Sequence, residues 1–220
     1  MHDSTKTLLY QIADPQHGYF TAWQAVNSGM AGSRLPVMSS RGQIERVSRG
    51  VYRLPYYPVS DVAQYIEAVL WPQGLVAVLS HESALLLHGL SDVSPAQIHI
   101  TVPTTHRVRR QIPHHLQVHH ADLQTDECEM LNGIPVTTSA RSILDCHRNN
   151  VSSALIRQAI EDGREQGTLT IQEAEELARA TGVDYQGRRR SRNAASRHRS
   201  GNTRPGSDLQ CGNGRSCLNN

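Results

Sequence analysis

Apolar residues in the first quarter of the chain recur at helical spacing in short bursts, several of them closed by glycine. Leu8, Leu9, Ile12 and Ala13 fall on one face of a helix predicted to start at Asp3 or Ser4, either of which can cap it, and to end near residue 14. Thr21 is placed to cap a second helix that runs through Val26 and ends at Gly29, and Ser33 to cap a third that reaches Arg41 before Gly42. Pro36 falls in the first turn of that third helix, where a missing N–H is tolerated. The pattern then turns to alternation. Strands are predicted at 44–48 and 51–54, with Gly50 able to take a positive φ at the turn between them. Two short helices meeting at a glycine turn, followed by a hairpin tipped by Arg49 and Gly50, read as a winged helix-turn-helix, a shape suited to the DNA major groove.

After Pro55-Tyr56-Tyr57-Pro58, which reads as a linker, the periodicity predicts a mixed domain. Residues 61–70 form a helix stopped by Trp71 and Pro72, and 75–79 a short buried strand. Ser80 caps a helix through residue 87, with Glu82 near its positive end and His88-Gly89 as its stop. Strands are expected at 98–102 and 116–119. The segment 133–137 leads into Thr138, which can cap a helix over 139–148. Helices at 151–166 and 171–180 flank Gly167. From Gly187 onward the chain is rich in Arg, Ser, Gly and Asn, with Leu209 and Leu218 its only large aliphatic residues. That leaves too little apolar surface to offset chain entropy. The expected fold class is therefore α+β: a winged helix-turn-helix at 1–55, a mixed α/β domain at 56–185 and a disordered Arg-rich tail at 186–220.

The net charge of +2 conceals an uneven distribution. Residues 1–55 hold one Lys and five Arg against three acids, 56–185 eight Arg against sixteen acids, and 186–220 eight Arg against Asp208 alone. A basic head on an acidic body suggests nucleic acid for the first; the second suits a protein partner or simply a soluble surface. No apolar run approaches the ~18 residues of a membrane span, and the N-terminus lacks a signal-peptide layout. Cys128, Cys146, Cys211 and Cys217 show no C-x-x-C spacing, so a cytoplasmic protein without a zinc knuckle or disulfide framework is expected.

Arg34 near the start of the presumed recognition helix is a candidate guanine reader, and Ser33, Ser39, Ser40 and Arg41 candidate phosphate contacts. On the wing, Arg46, Arg49 and Arg53 are candidates, with Arg49 at the tip; some of these can instead pair with Glu45. Ser80, His81 and Glu82 are consecutive and point in different directions, so spacing gives no catalytic triad. Eight of the twelve histidines lie between positions 81 and 120, yet His119 and His120 face opposite sides of any strand, so no metal site and no cofactor are expected. Arg107, Arg109 and Arg110 form a basic loop open to DNA, RNA, an acidic protein surface or solvent. Thr138, Arg141 and Asp145 share a helix face, where a buried Arg–Asp bridge is the default. Phosphate loops, paired catalytic carboxylates and Cys/His nucleophile pairs do not rise above chance. An enzyme, whether toxin-modifying or a truncated nuclease-fused relative, is the poorer reading.

Four motifs fall in order: Arg49-Gly50-Val51-Tyr52; Val78-Leu79-Ser80-His81-Glu82-Ser83-Ala84 with Leu87-His88-Gly89-Leu90; Ile98-His99-Ile100-Thr101-Val102-Pro103; and Gly133-Ile134-Pro135-Val136-Thr137-Thr138-Ser139-Ala140-Arg141 with Ile143-Leu144-Asp145. Together they resemble the AbiEi family, the antitoxin-regulators of bacterial type IV toxin–antitoxin systems, over roughly residues 8–182. The resemblance implies a winged-helix domain that binds inverted repeats of double-stranded DNA at its own promoter, with two copies on the DNA. It also implies an antitoxin domain that opposes a nucleotidyltransferase-like toxin encoded alongside, typically without a stable complex. Ser80, His81 and Glu82, with Arg107, Arg109, Arg110, Thr138 and Arg141, are then the candidate antitoxin surface. Some relatives continue into a nuclease-like segment where this chain has its Arg-rich tail, so a truncated or frameshifted end is one reading of 186–220.

Overall fold

The structure, a computed structural model, describes residues 3–58, 60–72 and 74–185; the tail predicted at 186–220 lies outside the described residues. Helix α1 (Asp3–Ala13) is followed by β1 (Tyr19–Thr21), α2 (Ala22–Asn27), α3 (Arg34–Ser40), β2 (Glu45–Ser48) and β3 (Val51–Arg53). The strands form an antiparallel sheet in the order β1-β3-β2, which completes a winged helix. Strand β1 is absent from the sequence reading. All three of its residues are buried, so no alternation marks it, and it is held by pairing Tyr19 with Arg53. Thr21 caps α2 as expected: its hydroxyl accepts from Gln24 N at 3.0 Å while Gln24 Oε1 accepts from Thr21 N at 2.8 Å, a box worth about 1 kcal/mol. Ser33 does not cap α3. At φ −64° and ψ −17° it is already helical, its side chain makes no capping bond, and the helix entrance is closed by Arg34 N donating to Ala31 O at 3.0 Å.

The remaining elements are α4 (Ala63–Leu70), β4 (Val78–Leu79), α5 (His81–His88), β5 (Ile98–Val102), β6 (Leu116–His120), β7 (Cys128–Leu131), β8 (Ile134–Thr137), α6 (Ser139–Arg148), α7 (Ser153–Gln166) and α8 (Ile171–Thr181). Their strands form a mixed sheet in the order β6-β5-β4-β8-β7, parallel at β5–β6 and β4–β8 and antiparallel at β4–β5 and β7–β8. Strand β7 is also missing from the sequence reading, because this edge strand exposes Glu129 and Met130 side by side. On β5 the two-residue period sends Ile100 and Val102 into the core shared with α4, and His99 and Thr101 towards the start of α5. Helices α5 to α8 enclose a separate core around Leu85, Ile143, Ile156, Ile160 and Leu177. Thr138 caps α6 through Arg141 N, and α5 and α7 end at Gly89 and Gly167 as expected.

The winged helix has its own core of Leu9, Phe20, Leu35, Met38, Ile44, Tyr52 and Leu54. Its other side is not free. Tyr19 and Val51 are buried in the same cluster as Tyr65, Ile66, Val69, Trp71 and Val136 of the middle region. The segment 55–58, which composition marks as a linker, is packed: a methyl on Gly18 (φ +86°) would lie 2.7 Å from Tyr57 Cβ, and the Tyr57 hydroxyl bonds to Asp14. Gly133 (φ +74°), in the turn between β7 and β8, is equally tight. A methyl there would meet Pro15 O at 2.8 Å, and the neighbouring Asn132 carbonyl accepts from His17 Nε2 at 2.8 Å.

Candidate functional site

Leu35 and Met38 anchor α3 in the core at 1% and 4% exposure, which turns Arg34, Val37 and Arg41 outward. Among the described residues the side chains of Arg34, Arg41 and Arg46 have no hydrogen-bond or ion-pair partner, and all three are exposed. Ser33 is exposed with its hydroxyl unused by the helix, whereas the Ser40 hydroxyl donates to Val37 O at 3.0 Å and Ser39 is half-buried. Val37 was not singled out from the sequence. It is 47% exposed on the same face, an apolar group of the kind that contacts a thymine methyl.

Arg46 and Arg49 project from the wing, Arg49 at the β2–β3 tip. Arg53 does not join them. Its guanidinium lies over the Tyr19 ring at 5.5 Å, sits 3.8 Å from Glu45 and donates to the carbonyls of Tyr57 and Pro58. A cation so engaged holds the module together and is corrected from interface to scaffold. Arg110 behaves similarly: it stacks on Trp71 at 4.1 Å and donates to Arg49 O at 3.1 Å. This places the loop from His106 to Arg110 against the wing tip, where Arg107 and Arg109, both exposed, border a cleft of about 400 Å³ together with Arg49. The basic loop and the basic wing therefore form one positive edge, a juxtaposition that sequence alone does not reveal.

The other residues of the expected antitoxin surface are mostly interior. Ser80 is fully buried and His81 8% exposed. Ser80 Oγ accepts from Thr101 Oγ1 at 2.7 Å and lies 3.0 Å from His81 Nδ1, so the expected helix cap is not made. Ser80 and His81 do touch, but Glu82 turns to His99 Nε2 at 3.4 Å, which rules out a relay through the three consecutive residues. Thr138 is occupied in capping α6. Arg141 donates from Nε to both Asp145 oxygens at 2.9 Å and lies 2.6 Å from Glu127, the buried bridge the helix spacing predicts. The Gln124 amide, then the Arg141 guanidinium, hold the Glu127 carboxyl below its usual range.

Beside Arg141 is a cavity of about 310 Å³ lined also by His81, Thr101, His119, Asp145 and Arg148. Behind its His81 and His119 the structure adds His99, a trio from three separate elements that the sequence does not bring together. Burial, reinforced for His81 and His119 by the neighbouring imidazoles, pushes His81 down to about 3, His119 down to about 4 and His99 below its ordinary value. The signal available beforehand was a histidine in the middle of Ile98-His99-Ile100, a strand apolar on both sides.

A helix start with unpaired arginines beside a basic hairpin is the arrangement of a winged helix. Residues 8–55 match the family model described as "Transcriptional regulator, AbiEi antitoxin", so the chain carries an AbiEi antitoxin/transcriptional-regulator domain at its N-terminus. No curated protein matches the sequence. Among solved structures, the chain is similar to the RV2827C protein from Mycobacterium tuberculosis at 13% identity, with a TM-score of 0.36 over 82% of this chain and 78% of that one. No helix among the described residues is long and apolar enough to cross a membrane.

Proposed function

We propose that this chain represses its own operon by binding an inverted repeat in promoter DNA, and that it is the antitoxin of a type IV system opposing a nucleotidyltransferase-like toxin. The observation that carries the DNA half is the set of exposed, unpartnered cations on α3 and the wing. Arg34 reads bases in the major groove, and Arg41, Arg46 and Arg49 contact phosphates. Arg107 and Arg109 lengthen the same edge, so the loop once open to several partners is assigned to the DNA backbone. One short helix spans too few bases for a specific site, and a pair of copies on a two-fold repeat supplies the remainder.

The antitoxin half rests on the family resemblance of the motifs between residues 78 and 145, and residues 56–185 are assigned that role, with 1–55 assigned repression. The experiment uses the full chain, because the two parts share the core around Tyr19 and Trp71. Arg34→Ala with Arg49→Ala should abolish repression of a reporter fused to the chain's own promoter. Expressed from a foreign promoter, the same variant should still restore growth against the cognate toxin. Loss of rescue by a variant that is folded and equally abundant would show that the two roles are not divided in this way.

A further inference from the structure

Three imidazoles that the regulatory reading does not use meet where α5 begins against the sheet. Parallel pairing sets His119 of β6 opposite Thr101 of β5, and the strand period sets His99 on the same face as Thr101. His81 reaches that face from the first residue of α5. One ring nitrogen of each histidine lies within 4.8 Å of the others. His99 Nδ1 and His119 Nε2 are hydrogen-bonded at 3.1 Å, near the ~3.4 Å between two nitrogens that share a tetrahedral zinc ion, which would take the place of the one proton between them. We propose that His81, His99 and His119 bind a divalent transition-metal ion of the zinc class, through His81 Nε2, His99 Nδ1 and His119 Nε2.

The surrounding contacts suit those nitrogens. Ser80 Oγ lies 3.0 Å from His81 Nδ1, so with the metal on Nε2 the Nδ1 proton has Ser80 Oγ as its acceptor. The Glu82 carboxylate lies 3.4 Å from His99 Nε2, so with the metal on Nδ1 the Nε2 proton faces a carboxylate. A hydroxyl or carboxylate on the far nitrogen is the usual device that fixes the tautomer and basicity of a metal-bound imidazole. The His81 and His119 rings stack face to face with centroids 3.6 Å apart, and because an ion lies in the plane of each imidazole it holds, binding turns one of these rings about its side-chain torsions. Imidazole donors suit zinc and its neighbours and not the oxygen-seeking calcium or magnesium. Because His81 and His119 also line the 310 Å³ cavity, a fourth position is open to water or to an anion drawn by Arg141 and Arg148.

The test uses the full chain purified without a histidine tag. Metal content is measured by mass spectrometry, and Zn²⁺ affinity by competition with a chromophoric chelator. One ion per chain is expected, and Co²⁺ in its place should give the visible absorption of a tetrahedral site. His99→Ala and His119→Gln should each weaken Zn²⁺ binding by more than the 10–100-fold that loss of an outer partner costs, with Glu82→Gln inside that range. His114→Gln, exposed and outside the trio, should bind as the wild type does. Long-range ¹H–¹⁵N spectra of the wild type give a readout that needs no ligand variant to fold: Zn²⁺ should shift the ring nitrogens of His81, His99 and His119. A wild-type chain that holds no ion under Zn²⁺ excess overturns the proposal. So do shifts confined to other histidines, or undiminished binding by folded His99→Ala.

Discussion

Replacing Asp145 by Asn removes one negative charge from a nearly sealed site and changes almost nothing else in volume. The Asp145 side chain is 6% exposed; Arg141, 13% exposed, donates to both of its oxygens at 2.9 Å, and Arg148 approaches at 3.3 Å. Breaking a buried pair by removing one partner costs about 3–5 kcal/mol when the surviving charge is left alone. Arg141 is not left alone, since Glu127 stays at 2.6 Å, and the Arg148 arm is 65% exposed and worth at most about 1 kcal/mol. The expected loss is therefore about 2–3 kcal/mol, or a Tm lower by roughly 5–10 °C for a chain of this size. Urea titrations followed by circular dichroism measure it directly, with an unchanged m value as the check that the folded state is intact. A loss below about 0.5 kcal/mol, typical of a surface site, would refute the view that this bridge is a buried structural pair.

Arg34→Ala should cost ~1–3 kcal/mol on the specific duplex and little on random DNA, whereas Arg49→Ala should weaken both alike and flatten the salt slope by about one unit; fluorescence anisotropy across a salt series separates the two. Arg107→Ala with Arg109→Ala should reduce that slope by up to about two units while leaving sequence preference intact, and an unchanged slope would remove the loop from the DNA edge. Gly18→Ala should destabilise the chain well beyond Gly42→Ala: both positions have positive φ, but only Gly18 is also crowded, by Tyr57. Backbone strain alone accounts for about 1 kcal/mol or more at each. Chemical denaturation that ranked the two variants equally would show that the close approach does not matter.

Elements defined by a cap or a strict period were legible. Thr21 and Thr138 hold the helix starts that their positions suggest, the strand at Ile98–Val102 has its expected bounds, and the Arg141–Asp145 bridge follows from spacing along one helix. Elements defined by their neighbours were not. Residues 19–21 become a strand only because β3 is there to pair with, and Ser80 turns its hydroxyl to Thr101 on another strand instead of to its own helix. The histidine trio illustrates the same limit. The comparison of His119 with His120 concerned a single strand, but convergence came sideways, through the register of β6 on β5 and the approach of α5. The merging of the basic loop with the wing likewise depends on Arg110 lying on Trp71, a long-range contact with no local signature.

The burial of Tyr19 and Val51 among α4 and the middle sheet has a consequence for how long each activity lasts in a cell. Segments that share one core open together, so a protease that captures the unfolded chain destroys both parts in a single event. Under the proposed function, the same turnover would withdraw the antidote and lift the block on its own transcription. Resynthesis would then begin as protection falls, with no separate signal required to couple the two.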